Sequence, residues 1–221
     1  MFRDREDAGH RLARELRRYA GKNPLVLAVP RGAVPMAKVI ADELGGELDV
    51  VLVHKLGAPG NPEYAIGAVG EDGEVLLRRD HGIEELPAAY VTEERERQLR
   101  VLRARRARYT PDRPAADPSG RVVVLVDDGI ATGATLQAAL QSVRAKGPAR
   151  LVAAVAVAPQ DSLVAIREVA DEVICLATPR LFFAVGQFFA DFRQVEDDDV
   201  IEALRASRRQ PAPPSFTGGK R

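Results

Sequence analysis

The chain has 221 residues, of which 46% are hydrophobic and 29% are charged. This length and balance fit one globular domain with a sizeable core. The 32 basic and 32 acidic residues cancel, so bulk charge gives no support to wholesale attraction to nucleic acid or to a membrane surface.

The single cysteine, Cys175, cannot form an internal disulfide, and its apolar surroundings indicate a small core residue. The first residues are charged, and no run approaches the roughly 18 apolar residues of a membrane helix. We therefore expect a cytoplasmic protein without a membrane segment.

Apolar spacing and turn residues predict alternating helices and strands. In chain order we predict a helix over 3–19, a strand over 25–29, a helix over 34–44, a strand over 49–53 that ends at His54 and Lys55, hairpin strands near 65–69 and 74–77, a helix over 92–109, a strand over 122–126, a helix over 134–146, a strand over 151–157, a helix over 161–170, a strand over 172–176 and a helix near 200–207. Continuous aliphatic strands between helices predict an α/β fold with a doubly wound, mostly parallel sheet covered on both faces.

The predicted organisation is a single domain over 1–209. It consists of a core over about 24–176, an inserted helical and hairpin segment over about 70–118 that stands apart from the sheet, and a small C-terminal segment over about 178–199, called the hood below. The tail 210–221, with three prolines and two glycines, is expected to be disordered.

The stretch VVVLVDDGIATGAT, residues 122–135, carries the strongest functional signal. Ligands of a parallel sheet gather at the carboxyl ends of its strands, which is where Asp127 and Asp128 fall. The loop that follows opens a helix whose first N–H groups and dipole favour an anion, and it contains no P-loop lysine. We call residues 131–135 the phosphate loop and the two aspartates the acid pair.

Two carboxylates beside a phosphate need a hydrogen-bond donor or a metal ion between them. A ribose presents two neighbouring hydroxyls, and ionised carboxylates only accept hydrogen bonds. The stretch therefore favours a ribose 5-phosphate ligand over the alternative of a helix cap with two solvated acids.

This stretch resembles the phosphoribosyl pyrophosphate (PRPP) motif of the type I phosphoribosyltransferases, and element order supports the likeness over about 24–176. The resemblance implies that Asp127 and Asp128 hold the ribose hydroxyls. It implies a 5'-phosphate site made by Ala131, Thr132, Gly133, Ala134 and Thr135. It also implies Mg²⁺, held mainly through PRPP with the acid pair as candidate ligands, and a homodimer.

One position departs from part of the family. Enzymes that use 6-oxopurines have an aspartate at the fifth position counted from the first acid, where it exchanges a proton with the base. This chain has Ala131 there, as in the adenine and uracil enzymes. A hypoxanthine or guanine acceptor is therefore disfavoured, and the group that handles the proton is not identified.

Two further basic residues are candidates for the pyrophosphate side. Arg31 and Gly32 follow the first sheet strand and resemble the family's pyrophosphate loop, in which a glycine permits an unusual backbone geometry and backbone amides face the phosphates. The guanidinium of Arg31 offers a bidentate contact. Lys55 matches a family lysine that contacts the same side. The alternatives are a surface arginine in a turn and a solvated lysine.

The hood holds five of the seven phenylalanines and resembles the base-binding segment of the family's purine enzymes. By that likeness Phe183 would stack on the base, and the backbone of Val185 would hydrogen-bond to the edge of the base. The alternative is that these phenylalanines are ordinary core. The acidic run 196–199 is interpreted as structural, because acids favour a helix start.

The helix over 92–109 is rich in arginine around Leu99 and Leu102. Three interpretations stay open: a solvated helix with an apolar seam, a mobile lid over PRPP, or a basic face for RNA.

The residues together favour a magnesium-dependent phosphoribosyltransferase that acts on PRPP and a nitrogenous base, and nucleic acid is not an expected partner. Arg31, Lys55, Asp127 and Asp128 are its candidate catalytic residues, with Gly32 and the phosphate loop as its PRPP-binding backbone. The alternatives are a PRPP or nucleotide sensor of the same fold without useful turnover, and a ribose-phosphate lyase or hydrolase.

Overall fold

A computed structural model of the chain describes residues 1–77 and 86–207. The helices are α1 (Arg5–Glu15), α2 (Val34–Leu44), α3 (Ala88–Tyr109), α4 (Ala134–Ala145), α5 (Ser162–Arg167) and α6 (Asp197–Ser207). The strands are β1 (Leu25–Ala28), β2 (Glu47–Val50), β3 (Val53–Ala58), β4 (Asn61–Gly70), β5 (Val75–Leu77), β6 (Val122–Asp127), β7 (Arg150–Val157) and β8 (Glu172–Ala177). The predicted tail 210–221 lies outside the described residues.

Five strands form a parallel sheet in the order β2-β1-β6-β7-β8. Alternate residues of β6 enter two different cores, because successive side chains of a strand point to opposite faces. Val124 and Val126 pack in the cluster that contains residues of α1, α2 and α6, whereas Val123 and Leu125 pack with α4 and α5. The predicted doubly wound, mostly parallel α/β sheet is confirmed.

The sheet order also fixes where a ligand site can form. Strand β1 lies between β2 and β6, so the chain winds away from β1 in both directions. The loops after β1 and β6 therefore meet outside the carboxyl ends of the strands, at the topological switch point where α/β proteins bind ligands.

A second, antiparallel sheet joins β3, β4 and β5 in that order. It confirms the predicted hairpin strands, but it corrects the placement of Lys55. We predicted that Lys55 follows the end of a strand in the parallel sheet; instead it lies inside β3 and pairs with Ala68 of β4. The apolar run continues unbroken through the buried link residues Val51 and Leu52, so hydrophobicity alone did not reveal the change of sheet.

Helix α3 contains the predicted apolar seam, since Leu99 and Leu102 are buried. The expectation that this segment stands apart from the parallel sheet is wrong. Arg106 donates to Asp49 at 2.9 Å and to the carbonyl of Val50 at 2.8 Å, both on β2. Within residues 1–77 and 86–207, no helix combines the length and apolar character needed to cross a membrane.

Candidate functional site

The loops after β1 and β6 touch at the switch point. A Cβ atom built on Gly32 would lie only 2.3 Å from Oδ2 of Asp128. Only a glycine leaves room for the carboxylate at this position. The structure therefore brings the predicted pyrophosphate loop and the predicted acid pair into direct contact, and the peptide bond between Pro30 and Arg31 is cis.

The acid pair is partly buried at the end of β6. Burial, and then the neighbouring charge of Asp128, raise the pKa of Asp127 well above its ordinary range. Burial also raises the pKa of Asp128, although the guanidinium of Arg5 opposes this shift. Two adjacent carboxylates can be stabilised further by hydroxyl donors or by a cation.

The phosphate loop is open to solvent at four of its five positions: Ala131, Thr132, Ala134 and Thr135 are exposed. Gly133 is buried and adopts φ of 78°, a left-handed conformation that glycine tolerates without strain. Helix α4 starts directly after it, so the first N–H groups of the helix face this loop without helical partners. This geometry can accept an oxyanion.

The phosphate loop is held from α5 by a contact that the sequence did not reveal. Ser162 donates its hydroxyl to the carbonyl of Ala131 at 2.5 Å. A Cβ on Gly133 would also lie 3.3 Å from the carbonyl oxygen of Ser162. Ser162 therefore supports the backbone of the phosphate loop, while the four exposed residues of the loop stay accessible to solvent.

Arg31 already binds an anionic group in the structure. Its guanidinium donates to Glu196 at 2.9 Å and lies 4.0 Å from Asp197. Asp197 also accepts a hydrogen bond from Tyr109 at 2.7 Å. The acidic run does open α6, as we expected, but it also holds the predicted pyrophosphate arginine, so the purely structural interpretation of this run is incomplete.

Lys55 lies on the side of the phosphate loop that faces the second sheet. Together with Thr132 and Thr135 it lines a cavity of about 840 Å³ between α4 and that sheet. The side chain is exposed, and this position makes its ammonium available to a ligand in the cavity.

The hood packs next to the acid pair. A Cβ on Gly129 would lie 2.5 Å from Cγ1 of Val185, so the hood packs directly on the backbone after the acid pair. Phe183 is 85% exposed, and its N–H donates to Gln187 at 3.1 Å. The core alternative therefore fails for Phe183, whereas it holds for Phe189, which is buried. A base-stacking role for Phe183 stays a prediction.

Arg5 is the site residue that sequence reasoning missed. Its Nε donates to Oδ2 of Asp128 at 2.8 Å, and the two side chains are only 10% and 13% exposed. The arginine stands in an N-terminal helix 123 residues before its partner. No local motif marks such a long-range contact.

The acid pair fits a magnesium ion whose remaining ligands come from the phosphates of a substrate. Magnesium is commonly held by one or two carboxylates together with substrate phosphates. The donor set of Asp127 and Asp128 meets that requirement, and a cation beside them would offset the burial that raises the pKa of both carboxyl groups. In the described part of the chain, no group of three or more His, Cys, Asp or Glu side chains could hold a metal.

A family model and curated relatives match most of the chain. The family model "Phosphoribosyl transferase domain" matches residues 3–192. Proteins of two Mycobacterium tuberculosis strains, CDC 1551 / Oshkosh and ATCC 25618 / H37Rv, are each named "Putative phosphoribosyl transferase" and are 46% identical over 211 residues. These matches cover 95% of this chain and 47% of each relative, so the chain spans about half the length of the curated relatives it matches.

A solved structure is similar over almost the whole chain. The crystal structure of TT1426 from Thermus thermophilus has a TM-score of 0.83 and 49% sequence identity. The match covers 92% of this chain and 97% of that chain.

Proposed function

This chain belongs to the phosphoribosyl transferase family, and we propose that it transfers a 5-phosphoribosyl group from PRPP to a nitrogenous base and releases pyrophosphate. The observation that carries the proposal is the contact between Gly32 and Asp128. This contact places the loop that carries Arg31 next to the acid pair. Both lie beside the start of α4, where a phosphate can bind. PRPP presents a pyrophosphate, a diol and a 5'-phosphate in one molecule, which matches this arrangement.

Each part of PRPP has a proposed partner. The 5'-phosphate lies on the phosphate loop and the first turn of α4. The acid pair accepts hydrogen bonds from the two ribose hydroxyls. The pyrophosphate lies towards Arg31, where it replaces the carboxylate of Glu196, and Lys55 adds positive charge from the cavity it shares with Thr132 and Thr135.

The proposed reaction exchanges one bond at the anomeric carbon. The bond from this carbon to the pyrophosphate oxygen breaks, a base nitrogen forms the new bond, and the proton of that nitrogen passes to the departing pyrophosphate. Positive charge develops on the ribose in an oxocarbenium-like transition state, as expected from the family resemblance. The protein's part is to hold the leaving group and exclude water, so no protein nucleophile is required.

Magnesium, when bound, supplies charge neutralisation to the pyrophosphate. The residues that would hold it here are Asp127 and Asp128, in company with the phosphates of PRPP.

The acceptor base is proposed to lie under the hood. Val185 packs on Gly129 next to the acid pair, and the ring of Phe183 is exposed two residues earlier. The side chain of Ala131 is a methyl group and cannot exchange a proton. We therefore propose a base other than a 6-oxopurine.

The decisive experiment incubates the protein with PRPP, Mg²⁺ and a panel of bases and follows pyrophosphate release. Release that depends on one base, together with formation of its nucleoside 5'-monophosphate, would support the transferase. Release without a base would indicate a hydrolase. Tight PRPP binding without release for any base would indicate a sensor of the same fold.

A matched variant pair tests the acid pair directly. Asp127→Asn combined with Asp128→Asn should weaken PRPP binding measured by calorimetry, because amides accept hydrogen bonds less strongly than carboxylates. Asp117→Asn is the control, since Asp117 is exposed on the linker before β6. Equal PRPP affinity in all three proteins would contradict the assignment of the diol.

A further inference from the structure

We propose that Arg5 is a positioning residue that fixes the carboxylate of Asp128 for the ribose diol and connects this carboxylate to the hood. The proposal rests on the function proposed above. It assigns to the N-terminal helix α1 a part in substrate binding, although this helix precedes the core of the fold and carries no recognisable binding motif.

The first step of the argument is the contact itself. Nε of Arg5 donates to Oδ2 of Asp128 at 2.8 Å, and both side chains are largely withdrawn from solvent. A hydrogen bond between two ionised groups in such a place is stronger and more directional than one at the surface. The bond therefore fixes the rotation of the Asp128 carboxylate about its Cβ–Cγ bond.

The second step is the lack of free space around that oxygen. A Cβ on Gly32 would lie 2.3 Å from Oδ2 of Asp128 and 3.4 Å from a terminal nitrogen of Arg5. The carboxylate is therefore bounded by the Gly32 backbone and the guanidinium together. Without the guanidinium, the side chain of Asp128 could turn away from the direction in which the diol is proposed to lie.

The third step is that the same guanidinium touches the hood. It lies over the ring of Phe192, 3.8 Å from the ring centroid, and it donates to the carbonyl of Arg193 at 2.7 Å. Phe192 in turn packs against Phe189 and approaches the backbone at Gly186. One side chain thus links the acid pair to the segment that is proposed to cover the base.

These contacts distinguish Arg5 from an arginine that only stabilises α1. Arg11, six residues further along the same helix, pairs with Asp7 at 2.7 Å and lies over the ring of Phe2. It makes similar local contacts without touching the acid pair. Arg11→Gln is therefore a matched control for the loss of an arginine from α1.

The test is a double-mutant cycle on PRPP affinity, measured by calorimetry on the full chain with Mg²⁺. Arg5→Gln is expected to raise the Kd for PRPP about tenfold in the wild-type background, because binding must then order a carboxylate that Arg5 otherwise holds in place. In the Asp128→Asn background the same change is expected to have little effect, because Arg5 acts through that carboxylate. Arg11→Gln should leave the Kd unchanged.

Arg5→Lys separates positioning from folding. It keeps a positive charge in α1 but lacks the fork that reaches both Asp128 and the carbonyl of Arg193. An intermediate Kd for this variant is expected, with a thermal unfolding temperature that confirms the folded state. It also supplies the measurement if Arg5→Gln does not fold.

Two results would overturn the role of Arg5 while leaving the transferase proposal in place. One is a PRPP affinity that is unchanged or tighter after both substitutions of Arg5. The other is a loss of affinity that is equal in the wild-type and Asp128→Asn backgrounds, which would mean that Arg5 acts through the fold. Wild-type protein that does not bind PRPP at all would overturn both proposals.

Discussion

Replacing Gly32 with alanine should separate the two loops of the site. The φ angle of Gly32 lies outside the left-handed region, so alanine meets no backbone penalty there and only the new methyl group matters. That methyl would lie 2.3 Å from Oδ2 and 3.0 Å from Cγ of Asp128. Since non-bonded contacts are favourable at roughly 3.5 Å, the carboxylate must move by about 1 Å.

A shift of this size has two costs. It overpacks the loop, and it lengthens the 2.8 Å hydrogen bond from Arg5 beyond the normal range. We expect Gly32→Ala to lower the free energy of unfolding by about 2–4 kcal/mol, which combines the typical cost of overpacking with the loss of a charge-assisted hydrogen bond. PRPP affinity should fall as well, because the displaced carboxylate no longer faces the diol.

Urea unfolding of a double-mutant cycle provides the assay. Asp128→Ala removes the atoms that the new methyl group would meet. Adding Gly32→Ala to that variant should therefore cost less than about 0.5 kcal/mol, the size of an ordinary surface change. A penalty for Gly32→Ala that is the same with and without the carboxylate would refute the reasoning.

Three further predictions follow from charges in and around the site. Burial and the neighbouring Asp128 raise the pKa of Asp127, so the folded protein binds this proton more tightly than the unfolded chain does. The free energy of unfolding should therefore fall as pH rises through the raised pKa. By calorimetry, Asp127→Asn should unfold at a higher temperature than wild type near about pH 8, but not near about pH 3, where the carboxyl group is protonated in both states. Arg106→Met leaves Asp49 buried with one fewer cation and should lower the free energy of unfolding in urea by about 3 kcal/mol. Glu196→Gln releases Arg31 from an exposed ion pair, and pyrophosphate should bind about 2–5-fold more tightly by calorimetry.

The features that the sequence predicted best are encoded within a few neighbouring residues. The predicted bounds of α2 agree with the structure at both ends, since the turn at 30–32 precedes it and Gly45 ends it in a left-handed conformation. The acid pair stands at the end of β6 as predicted, because an aliphatic run and the following polar loop determine both the strand and its end.

The features that could not be predicted depend on residues far apart in the chain. Arg5 reaches Asp128 across 123 residues, and Arg31 reaches Glu196 across 165. Arg5 and Glu196 each look like an ordinary charged side chain in their own segments, so neither contact could be inferred from the sequence. Lys55 shows a related difficulty, since an apolar run indicates that a strand is buried but not which sheet it joins.

The acid pair also gives the proposed site a means of selection. Two partly buried carboxylates make the unliganded site electrostatically unfavourable, as the raised pKa values of Asp127 and Asp128 indicate. A free phosphate or pyrophosphate adds negative charge and leaves the cost of burying the two carboxylates in place. A ribose 5-phosphate brings two hydroxyl donors with its phosphate, and a sugar that lacks one hydroxyl would leave a carboxylate oxygen without a donor. The cost of burying the acid pair would thus favour the complete ligand over each of its fragments.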